Sequence, residues 1–564
     1  MKHYLNYVET AIKTYWNRVA LSNYGKEDYT FGQVAEYIER THVALELAGA
    51  VAGDKVVLCA RNAAQWAMTF FGIVTYDAVV VPLLNDFLPE NVQMLTAHSD
   101  STVIFTEPAI WNRMDVAALP KLRAAFDALT GAPLFVREEE VDEAPASRKG
   151  GEGTDGQHAF GQRVEAVMAS RFPDGLKPEH VSYPTGPLDE LEIINYTSGT
   201  TSAPKGVMLT ARNISFINEF AIHRLPAHEG DAILSMLPMA HLYGLAFEFL
   251  YTFTQGVHIT YLGKTPTPSV LVKALADVKP YMVITVPLVL EKMFKSKVFP
   301  MLEKPLMRVL LKVPGVNGII YRSVRRRLVD VFGGNLREGI IVGGAAINEK
   351  VERLMHRMRF PYTVGYGMTE CSPLVGYEDC RHFVTRSCGK AVPGVSVRID
   401  SADPLAEVGE IQVKGANVMA GYYKNEEATK AVFTADGWLR TGDLGLMDKA
   451  GNIFIKGRSK NMILSGSGQN IYPEELEDKL NALPLVTESI VISRARKIVA
   501  LVVPDLEAFK PLAAAGRTLE SVMTDYLAEV NASLPAYSKI NKIEIHPEPF
   551  EKTPKKSIKR FLYK

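Results

Sequence analysis

The stretch YTSGTTSAPKG, Tyr196–Gly206, places hydroxyls, glycines and one lysine directly after the short apolar run 191–194. A short apolar run that feeds such a loop is how an α/β protein presents backbone N–H groups, hydroxyls and a cation to a polyphosphate at the end of a strand. Gly199 and Gly206 would let the backbone approach phosphate oxygens closely, and Lys205 supplies a compact positive charge. The hydroxyl donors are Thr197, Ser198, Thr200 and Thr201. The stretch therefore predicts a site for a nucleoside triphosphate.

Two other interpretations of this loop were open. A Walker A motif is excluded, because it needs Gly-Lys followed at once by Ser or Thr, whereas Lys205 here precedes Gly206 and Val207. An ordinary polar surface loop stays open, since Ser, Thr, Gly and Pro cluster in loops for purely conformational reasons. Other parts of the chain must decide between a phosphate site and a surface loop.

The order of residues in this loop resembles the signature of the adenylate-forming superfamily, which includes acyl-CoA synthetases, luciferases and the adenylation domains of peptide synthetases. The loop departs from the signature at Ser202, where the family usually has Gly. Further stretches resemble the same family in the same chain order: RNAAQWAMTFFGIVTYDAVVVPL (61–83), LPMAHLYG (237–244), VGGAAI (342–347), GYGMTE (365–370), WLRTGDLG (438–445) and KGRSKNMILSGSGQNIYPEELE (456–477). The likeness spans nearly the whole chain, and the sequence is identified as a member of this superfamily.

Composition fits a cytoplasmic enzyme with more than one domain. A chain of 564 residues is long enough for two or more domains. Its 63 basic and 63 acidic side chains cancel, so global charge favours neither nucleic acid nor an acidic partner. The four cysteines show no CxxC pairing and are interpreted as free thiols of a reducing cytosol.

No segment of the sequence predicts a membrane span or a cleaved signal. Residues 1–16 lack a continuous apolar run. The segment 63–84 is long enough to cross a bilayer, but it contains Gln65, Asp77 and Pro82. A buried helix followed by the buried strand AVVVPL fits this segment better.

Short β-branched runs alternate with helical patterns through most of the chain, as parallel sheets with crossover helices require. The runs are VVLCA (56–60), AVVVPLL (78–84), STVIFTE (101–107), EIINYTS (192–198), AILSMLP (232–238), MVITVPLVL (282–290) and GIIVGGAAI (339–347). They predict an α/β domain of doubly wound sheets. The charged, Gly-rich part of 136–188 is interpreted as a solvated, mobile excursion.

From Gly394 the pattern changes to strands with tight turns, which predicts an antiparallel β subdomain over about 394–458. A small α+β unit follows, with a helix from Pro473, a hairpin over 487–505 and a helix over about 519–534. The resemblance implies an AMP-binding domain at 1–458 and a mobile C-terminal domain at 461–564. It also implies that this domain rotates about a hinge at Lys460 between two half-reactions.

The resemblance assigns the nucleotide contacts residue by residue. Forming an acyl-adenylate brings a carboxylate to the α-phosphate of ATP, so cations and donors must neutralise the phosphates, and Mg²⁺ is implied. By resemblance, Glu370 binds the metal, Thr369 the α-phosphate, Asp443 the ribose hydroxyls and Arg458 the ribose or phosphates. The remaining expected contacts are Tyr366, whose ring would stack on adenine, Gly367 beside it, and the small residues Gly343, Gly344 and Ala345. Taken singly, Thr-Glu could be a helix start and Gly-Asp a turn.

His241 and two glycines belong to the acyl and thiol sides of the predicted reaction. His241 lies where the family has a His or aromatic residue beside the reacting carboxylate. A positioning or gating role is favoured over general-base catalysis, because a carboxylate substrate is already ionised at neutral pH. Gly466 and Gly468 resemble the segment that lines the path of the CoA thiol arm, although a tight surface turn would have the same residues.

The C-terminus departs from the family pattern. Ser557 in KTPKKSIKR stands where the family has the lysine that assists adenylation. Lys555, Lys556 and Lys559 are nearby, and Lys556 could substitute by one register step. We therefore take Lys556 as the candidate catalytic lysine.

The segment 292–327, here called the basic segment, bears on the substrate. It holds ten basic residues and the single acid Glu303, interleaved with apolar side chains. Such a stretch could rest on an anionic membrane at the inner face and collect a lipid, or be a solvated face. It also resembles longer-chain acyl-CoA synthetases, so we expect a medium- or long-chain fatty acid. Two alternatives stay open: delivery of the acyl group to a carrier protein, or a nucleotide- or lipid-binding relative with weakened adenylation.

Overall fold

The largest sheet of the computed structural model contains the strand that precedes the YTSGTTSAPKG loop. The structure describes residues 1–137, 154–197, 204–263, 267–464, 469–495, 497–553 and 558–563. In spatial order the eight strands of this sheet are Gly421–Tyr422, Lys205–Thr210, Leu191–Thr197, Val79–Pro82, Lys55–Cys59, Val103–Thr106, Ala124–Asp127 and Pro133–Val136. The five strands from Leu191–Thr197 to Ala124–Asp127 are parallel, and the outer ones pair antiparallel.

Two smaller sheets complete the α/β part. One has the order Ala232–Ser235, His258–Tyr261, Val19–Asn23 and Asp28–Thr30, and the other Met282–Thr285, Gly339–Val342 and Tyr362–Val364. All of their pairs are parallel except the one with Asp28–Thr30. Every run predicted as a strand contains one, although the run 282–290 continues as a helix from Pro287. The prediction of an α/β fold with doubly wound sheets is confirmed.

Helices connect and cover these sheets. Their bounds are Tyr4–Thr14, Phe31–Leu47, Ala64–Val74, Pro89–His98, Pro108–Trp111, Thr154–Arg171, Ala211–Arg224, Leu242–Gly244, Tyr251–Thr254, Pro268–Val278, Pro287–Met293, Phe299–Leu302, Pro305–Leu310, Val316–Val331, Glu349–Met358 and Glu426–Val432, with π-helical turns at Leu245–Leu250 and Phe294–Val298. Ala64–Val74 is buried except at Gln65, and Val79–Pro82 is wholly buried, as predicted. Among the described residues, every helix is too short or too polar to reach across a lipid bilayer.

The interpretation of 136–188 as a mobile excursion is wrong for its second half. Residues 138–153 lie outside the described part, but Thr154–Arg171 forms a helix. Phe160 is 6% exposed and its ring centre lies 5.5 Å from that of Phe126, so the helix packs on the large sheet. Phe160, Val164 and Met168 recur every four residues, which places them on one helix face.

The pattern change after Gly394 produces the predicted antiparallel sheet. Its strands, in order, are Val395–Asp400, Gly409–Gly415, Leu439–Met447 and Ile453–Arg458. The turn before the last strand contains Gly451 at φ +87°, a conformation that glycine adopts without a steric penalty. Asp443 and Arg458 face each other across this hairpin.

The C-terminal α+β unit also forms as predicted. Its helices are Pro473–Asn481, Leu506–Ala514 and Leu519–Ala532, and its sheet consists of Val486–Arg494, Lys497–Pro504 and Lys542–Ile545. Two small apolar clusters form its core. The domain boundaries and the hinge at Lys460 stay predictions.

One carboxylate connects this small unit to the large one. Asp478, near the end of helix Pro473–Asn481, accepts hydrogen bonds from Asn348 Nδ2 at 3.0 Å and from Glu349 N at 3.3 Å. It also forms a 3.2 Å ion pair with Arg386. Because Asn348 caps helix Glu349–Met358, Asp478 lies at the positive end of that helix dipole.

Candidate nucleotide site

Lys205, Tyr422 and Glu370 meet at the edge of the largest sheet. The Lys205 Nζ lies 4.8 Å from the centre of the Tyr422 ring, where the ring quadrupole attracts a cation. The Tyr422 hydroxyl donates a 3.0 Å hydrogen bond to Glu370 Oε1. Tyr422 therefore fixes the predicted phosphate-binding cation relative to the predicted metal-binding carboxylate.

A two-residue strand positions this tyrosine. Gly421–Tyr422 pairs antiparallel with Lys205–Thr210, and Met419 N donates a 3.0 Å bond to Glu370 O. The segment thus joins the strand of Lys205 to the turn of Glu370. Tyr422 was not predictable from the sequence, because a strand of two residues has no periodicity that could reveal it.

Tyr366, Asp443 and Arg458 form a second array. The Tyr366 hydroxyl donates a 2.8 Å bond to Asp443 Oδ2, and Arg458 Nε lies 2.7 Å from Asp443 Oδ1. Burial raises the pKa of Asp443, and Arg458 opposes that rise. Both carboxylate oxygens are already engaged, so a ribose hydroxyl would have to share or replace one of these contacts.

The two arrays lie in one electrostatic environment, and Lys460 shares it. The negative charge of Glu370 contributes to the raised pKa of Asp443. Burial lowers the pKa of the Lys460 amine, Arg458 and Lys205 lower it further, and Asp443 opposes them. Charges from both arrays therefore act on the amine of Lys460, the predicted hinge residue.

The turn that carries Thr369 and Glu370 has room only for glycine at position 367. A Cβ on Gly367 would overlap the carbonyl oxygen of Pro373. Thr369–Cys371 then forms a single 3₁₀ turn with Thr369 and Glu370 half-buried. The close backbone approach at Gly367 therefore sets where these two side chains emerge.

The small residues after strand Gly339–Val342 divide into two groups. Gly344 and Ala345 are exposed, as a surface for a ligand requires. Gly343 is covered by Tyr243, since a Cβ there would lie 2.9 Å from the tyrosine ring. The Tyr243 hydroxyl also donates a 3.1 Å bond to Ile341 O. A side chain of this protein thus occupies the space over Gly343, where a ligand was expected.

The loop 236–241, here called the His241 loop, is held by side chains from outside it. Asn195, in the strand before the YTSGTTSAPKG loop, donates its amide to Ala240 O at 2.9 Å. Asn62 donates to Leu237 O and accepts from Met239 N at 3.0 Å. Neither asparagine was predicted as a site residue. Asn195 lies in a run read only as a strand, and the family-like stretch 61–83 that contains Asn62 carried no assigned role.

Glu248 anchors the start of the same loop. Its Oε2 accepts three hydrogen bonds of 3.0 Å, from Ser235 Oγ, Met236 N and Leu237 N. Glu248 is fully buried within the π-helical turn Leu245–Leu250, and burial raises its pKa to about 8. The folded protein therefore retains at neutral pH a proton that an exposed glutamate releases at lower pH.

This retained proton predicts a pH effect on stability. Between the ordinary glutamate value of 4.5 and about 8, the folded state binds the proton and the unfolded state does not, so stability falls as pH rises. Glu248→Gln keeps a neutral acceptor and removes the titration. The drop in thermal midpoint from about pH 5 to about pH 8 should be smaller in Glu248→Gln than in wild type. The exposed Glu426→Gln serves as control, and parallel profiles for Glu248→Gln and wild type would contradict the expectation.

Several predicted site residues lie outside the described residues, and their roles stay predictions. They are Ser198, Gly199, Thr200, Thr201, Gly466, Gly468 and Lys556. Thr197 is described at the end of its strand, where its hydroxyl donates a 3.4 Å bond to Lys205 O.

A cation in the strand paired with Leu191–Thr197, a carboxylate and an aromatic–carboxylate–arginine array are typical of a nucleotide-binding enzyme of the α/β class. A family model described as AMP-binding enzyme matches residues 8–423, and one described as AMP-binding enzyme C-terminal domain matches residues 460–563. The chain belongs to the AMP-binding enzyme family.

Individual proteins resemble the chain over most of its length. A long-chain-fatty-acid–CoA ligase of Mycobacterium bovis is 29% identical, covering 94% of this chain and 90% of its own. A chloroplastic long-chain-fatty-acid–[acyl-carrier-protein] ligase of Arabidopsis thaliana is 25% identical, covering 85% and 72%. The o-succinylbenzoate CoA synthetase of Bacillus subtilis, solved with ATP and a magnesium ion, shares the fold with a TM-score of 0.73 at 20% identity, covering 99% and 98%.

Proposed function

We propose that this chain is an ATP-dependent acid–thiol ligase that converts a medium- or long-chain fatty acid to acyl-AMP and then to acyl-CoA. The observation that carries the proposal is that the arrays Lys205–Tyr422–Glu370 and Tyr366–Asp443–Arg458 share one electrostatic environment, in which the charge of Glu370 acts on Asp443. The first array suits phosphates and the second suits a nucleoside. The names of the relatives support a fatty acid and CoA as the other substrates.

In the first step, a carboxylate oxygen of the fatty acid attacks the α-phosphorus of ATP, and pyrophosphate leaves with the electrons of the broken P–O bond. Lys205 and Thr369 would offset the negative charge that both reactants bring. The Glu370 carboxylate fits Mg²⁺, which prefers oxygen ligands, and this residue would hold the ion. Magnesium, when bound, supplies further positive charge at the phosphates.

In the second step, the thiolate of CoA attacks the acyl carbon, and AMP leaves from the mixed anhydride. Nothing in the first array is needed to activate this thiol, so a different set of residues can serve. A rotation about Lys460 would exchange Lys556 for the segment around Gly466 and Gly468 at the cleft. These assignments rest on the sequence.

ATP–pyrophosphate exchange with a panel of carboxylic acids tests the first step. We expect exchange with fatty acids of about 8 to 18 carbons and little with acetate or aromatic acids, since a long apolar chain adds about 0.8 kcal/mol per buried CH₂. If only aromatic acids support exchange, the substrate is an aromatic acid and the proposed fatty acid is wrong.

Two other functions are separated by the same assay. A carrier protein is the second candidate acceptor, favoured by the carrier-protein ligase among the relatives. Consumption of CoA thiol versus a phosphopantetheinyl carrier distinguishes the two enzymes. ATP binding without exchange for any acid would favour a nucleotide- or lipid-binding relative, which Ser557 alone suggests.

The proposal includes contact of the basic segment with an anionic membrane. Leu306, Val309 and Ile319 are 72%, 62% and 68% exposed, although they are large and apolar. Arg326 and Arg327, on the same helix as Ile319, are exposed as well. Apolar side chains inserted between lipids, with cations at the headgroups, stabilise such contact.

One lysine of the basic segment does not belong to this surface. Lys295 donates a 2.6 Å bond to Asn481 O of the small unit, and burial lowers its pKa. It therefore faces the C-terminal part of the chain. The surface offered to a membrane is formed by the later residues 304–327.

Removing the apolar residues should weaken membrane binding. Leu306→Ser with Ile319→Ser should reduce sedimentation with phosphatidylglycerol vesicles at least ~10-fold, since each buried Leu or Ile contributes about 1.5–3 kcal/mol. Replacing Arg325, Arg326 and Arg327 with Gln should also weaken vesicle binding, as added salt should. Leu405→Ser, also at an exposed leucine, is the matched control. A wild-type protein that ignores these vesicles at low salt would show that the segment is a solvated face.

A further inference from the structure

The His241 loop is fixed almost entirely by side chains. Backbone groups of Met236, Leu237, Met239 and Ala240 are bonded to Glu248, Asn62 and Asn195. These three residues come from three separate parts of the fold, and Asn195 and Glu248 are almost completely buried. A buried backbone group that loses its partner destabilises the folded state, so each of these bonds holds the loop in one place.

Asn195 differs from the other two in where its own backbone leads. It lies in strand Leu191–Thr197, two residues before Thr197 and the predicted phosphate loop. Its amide bonds the carbonyl of Ala240, the residue directly before His241. A single hydrogen bond of 2.9 Å therefore joins strand Leu191–Thr197 to the backbone directly before His241.

We infer that Asn195 is a positioning residue for adenylation, which acts through His241 by setting the position of the His241 loop relative to strand Leu191–Thr197, whose partner strand carries Lys205. The inference rests on the proposed function. The attack on the α-phosphorus needs the carboxylate in line with the leaving pyrophosphate, and a displacement of about 1 Å can slow such a step ~10²-fold. Asn62 and Glu248 hold the His241 loop against the rest of the fold, and Asn195 sets it against the nucleotide.

A double-mutant cycle separates positioning from general support of the fold. Asn195→Ser keeps a hydroxyl that is too short to reach Ala240 O. We expect it to lower kcat of ATP–pyrophosphate exchange ~10- to 100-fold with less than ~3-fold change in KM for ATP. In the His241→Ala background the same substitution should lose most of this effect. Equal losses in both backgrounds, or no loss in either, would overturn the inference.

Hydrogen exchange gives a second readout that does not depend on activity. Asn195→Ser should speed exchange of the amides of Met236, Leu237 and Met239, because their loop has lost one anchor. Asn531→Ser is the matched control, since Asn531 also donates its amide to a backbone carbonyl, that of Ile540, at 2.9 Å in the small unit. It should leave both the exchange of these amides and kcat unchanged.

The outcomes also separate this inference from the proposed function. If the wild-type protein shows no ATP–pyrophosphate exchange with any acid, the proposed ligase function is contradicted. If hydrogen exchange of the loop amides is unchanged in Asn195→Ser, the proposed anchoring by Asn195 is contradicted, whatever the activity. If Asn195→Ser does not fold, Asn195→Asp removes the donor at nearly constant volume. If that variant also fails to fold, Asn195→Thr, whose hydroxyl is likewise too short to reach Ala240 O, enters the same cycle with the same criteria.

Discussion

Glu370→Gln should slow pyrophosphate release ~10²- to 10³-fold while the protein stays folded. The substitution keeps an oxygen that can accept from the Tyr422 hydroxyl, so the array retains its geometry and loses only its negative charge. Lys205→Ala should have an effect of similar size, because it removes the cation over the Tyr422 ring. Both are measured by single-turnover formation of acyl-AMP at saturating ATP and magnesium.

Tyr422→Phe refines this expectation. It keeps the ring beneath Lys205 and deletes the hydroxyl that bonds Glu370, so its effect should be smaller than that of either charge substitution. The matched controls are Lys510→Ala and Glu507→Gln, which form a solvent-exposed 2.6 Å ion pair in the small unit. If Glu370→Gln and Lys205→Ala form acyl-AMP at the wild-type rate, these residues do not belong to the nucleotide site as proposed.

Lys556→Ala should lower adenylation ~10²-fold or more while thioester formation from supplied acyl-AMP survives. The reason is that, in the proposed rotation about Lys460, thioester formation uses the other orientation of the small domain, in which Lys556 is withdrawn from the α-phosphate. Restoring the family pattern with Ser557→Lys should rescue Lys556→Ala at least partly. Lys559→Ala is the control, since Lys559 forms a 3.3 Å ion pair with Glu551.

The anchoring of the flanking residues sharpens this test. Lys552 and Ile558 form an isolated antiparallel bridge on the two sides of residues 553–557. Arg560 pairs with Glu477, and the Tyr563 ring lies 5.0 Å from that of Phe550. The ends of the lysine-rich stretch thus belong to the small unit. Normal adenylation by Lys556→Ala would show that a shift of one register step is not how this chain replaces the missing lysine.

The sequence predicted best what depends on neighbouring residues. The buried parallel strands were predictable, because a strand covered on both faces must be apolar along its whole length. Pro473 at the first position of its helix was equally clear, since its missing N–H would have no helical partner there. The helix Thr154–Arg171 was missed, because its apolar residues are isolated by polar ones and follow a charged, Gly-rich run.

Contacts between motifs were beyond reach for a different reason. Tyr422 and Glu370 are 52 residues apart, and Asn195 and Ala240 are 45 apart. Each contact needs the strand order of the large sheet before it can be proposed. The resemblance supplied residues with expected roles, but it could not show that Asp443 already has two partners or that Tyr243 covers Gly343.

If the small domain rotates about Lys460 as proposed, the bond between Asp478 and the start of helix Glu349–Met358 must break in each cycle. When the Asp478 carboxylate moves away, water can accept the hydrogen bonds of the groups that now donate to it. Separation therefore replaces one acceptor by another and leaves no donor without a partner. A contact of this kind holds the small unit against the large one, and its release does not require a large free energy. In a two-step enzyme this contact would stabilise one orientation of the small unit only weakly. The small unit could then adopt that orientation and leave it again once in every cycle.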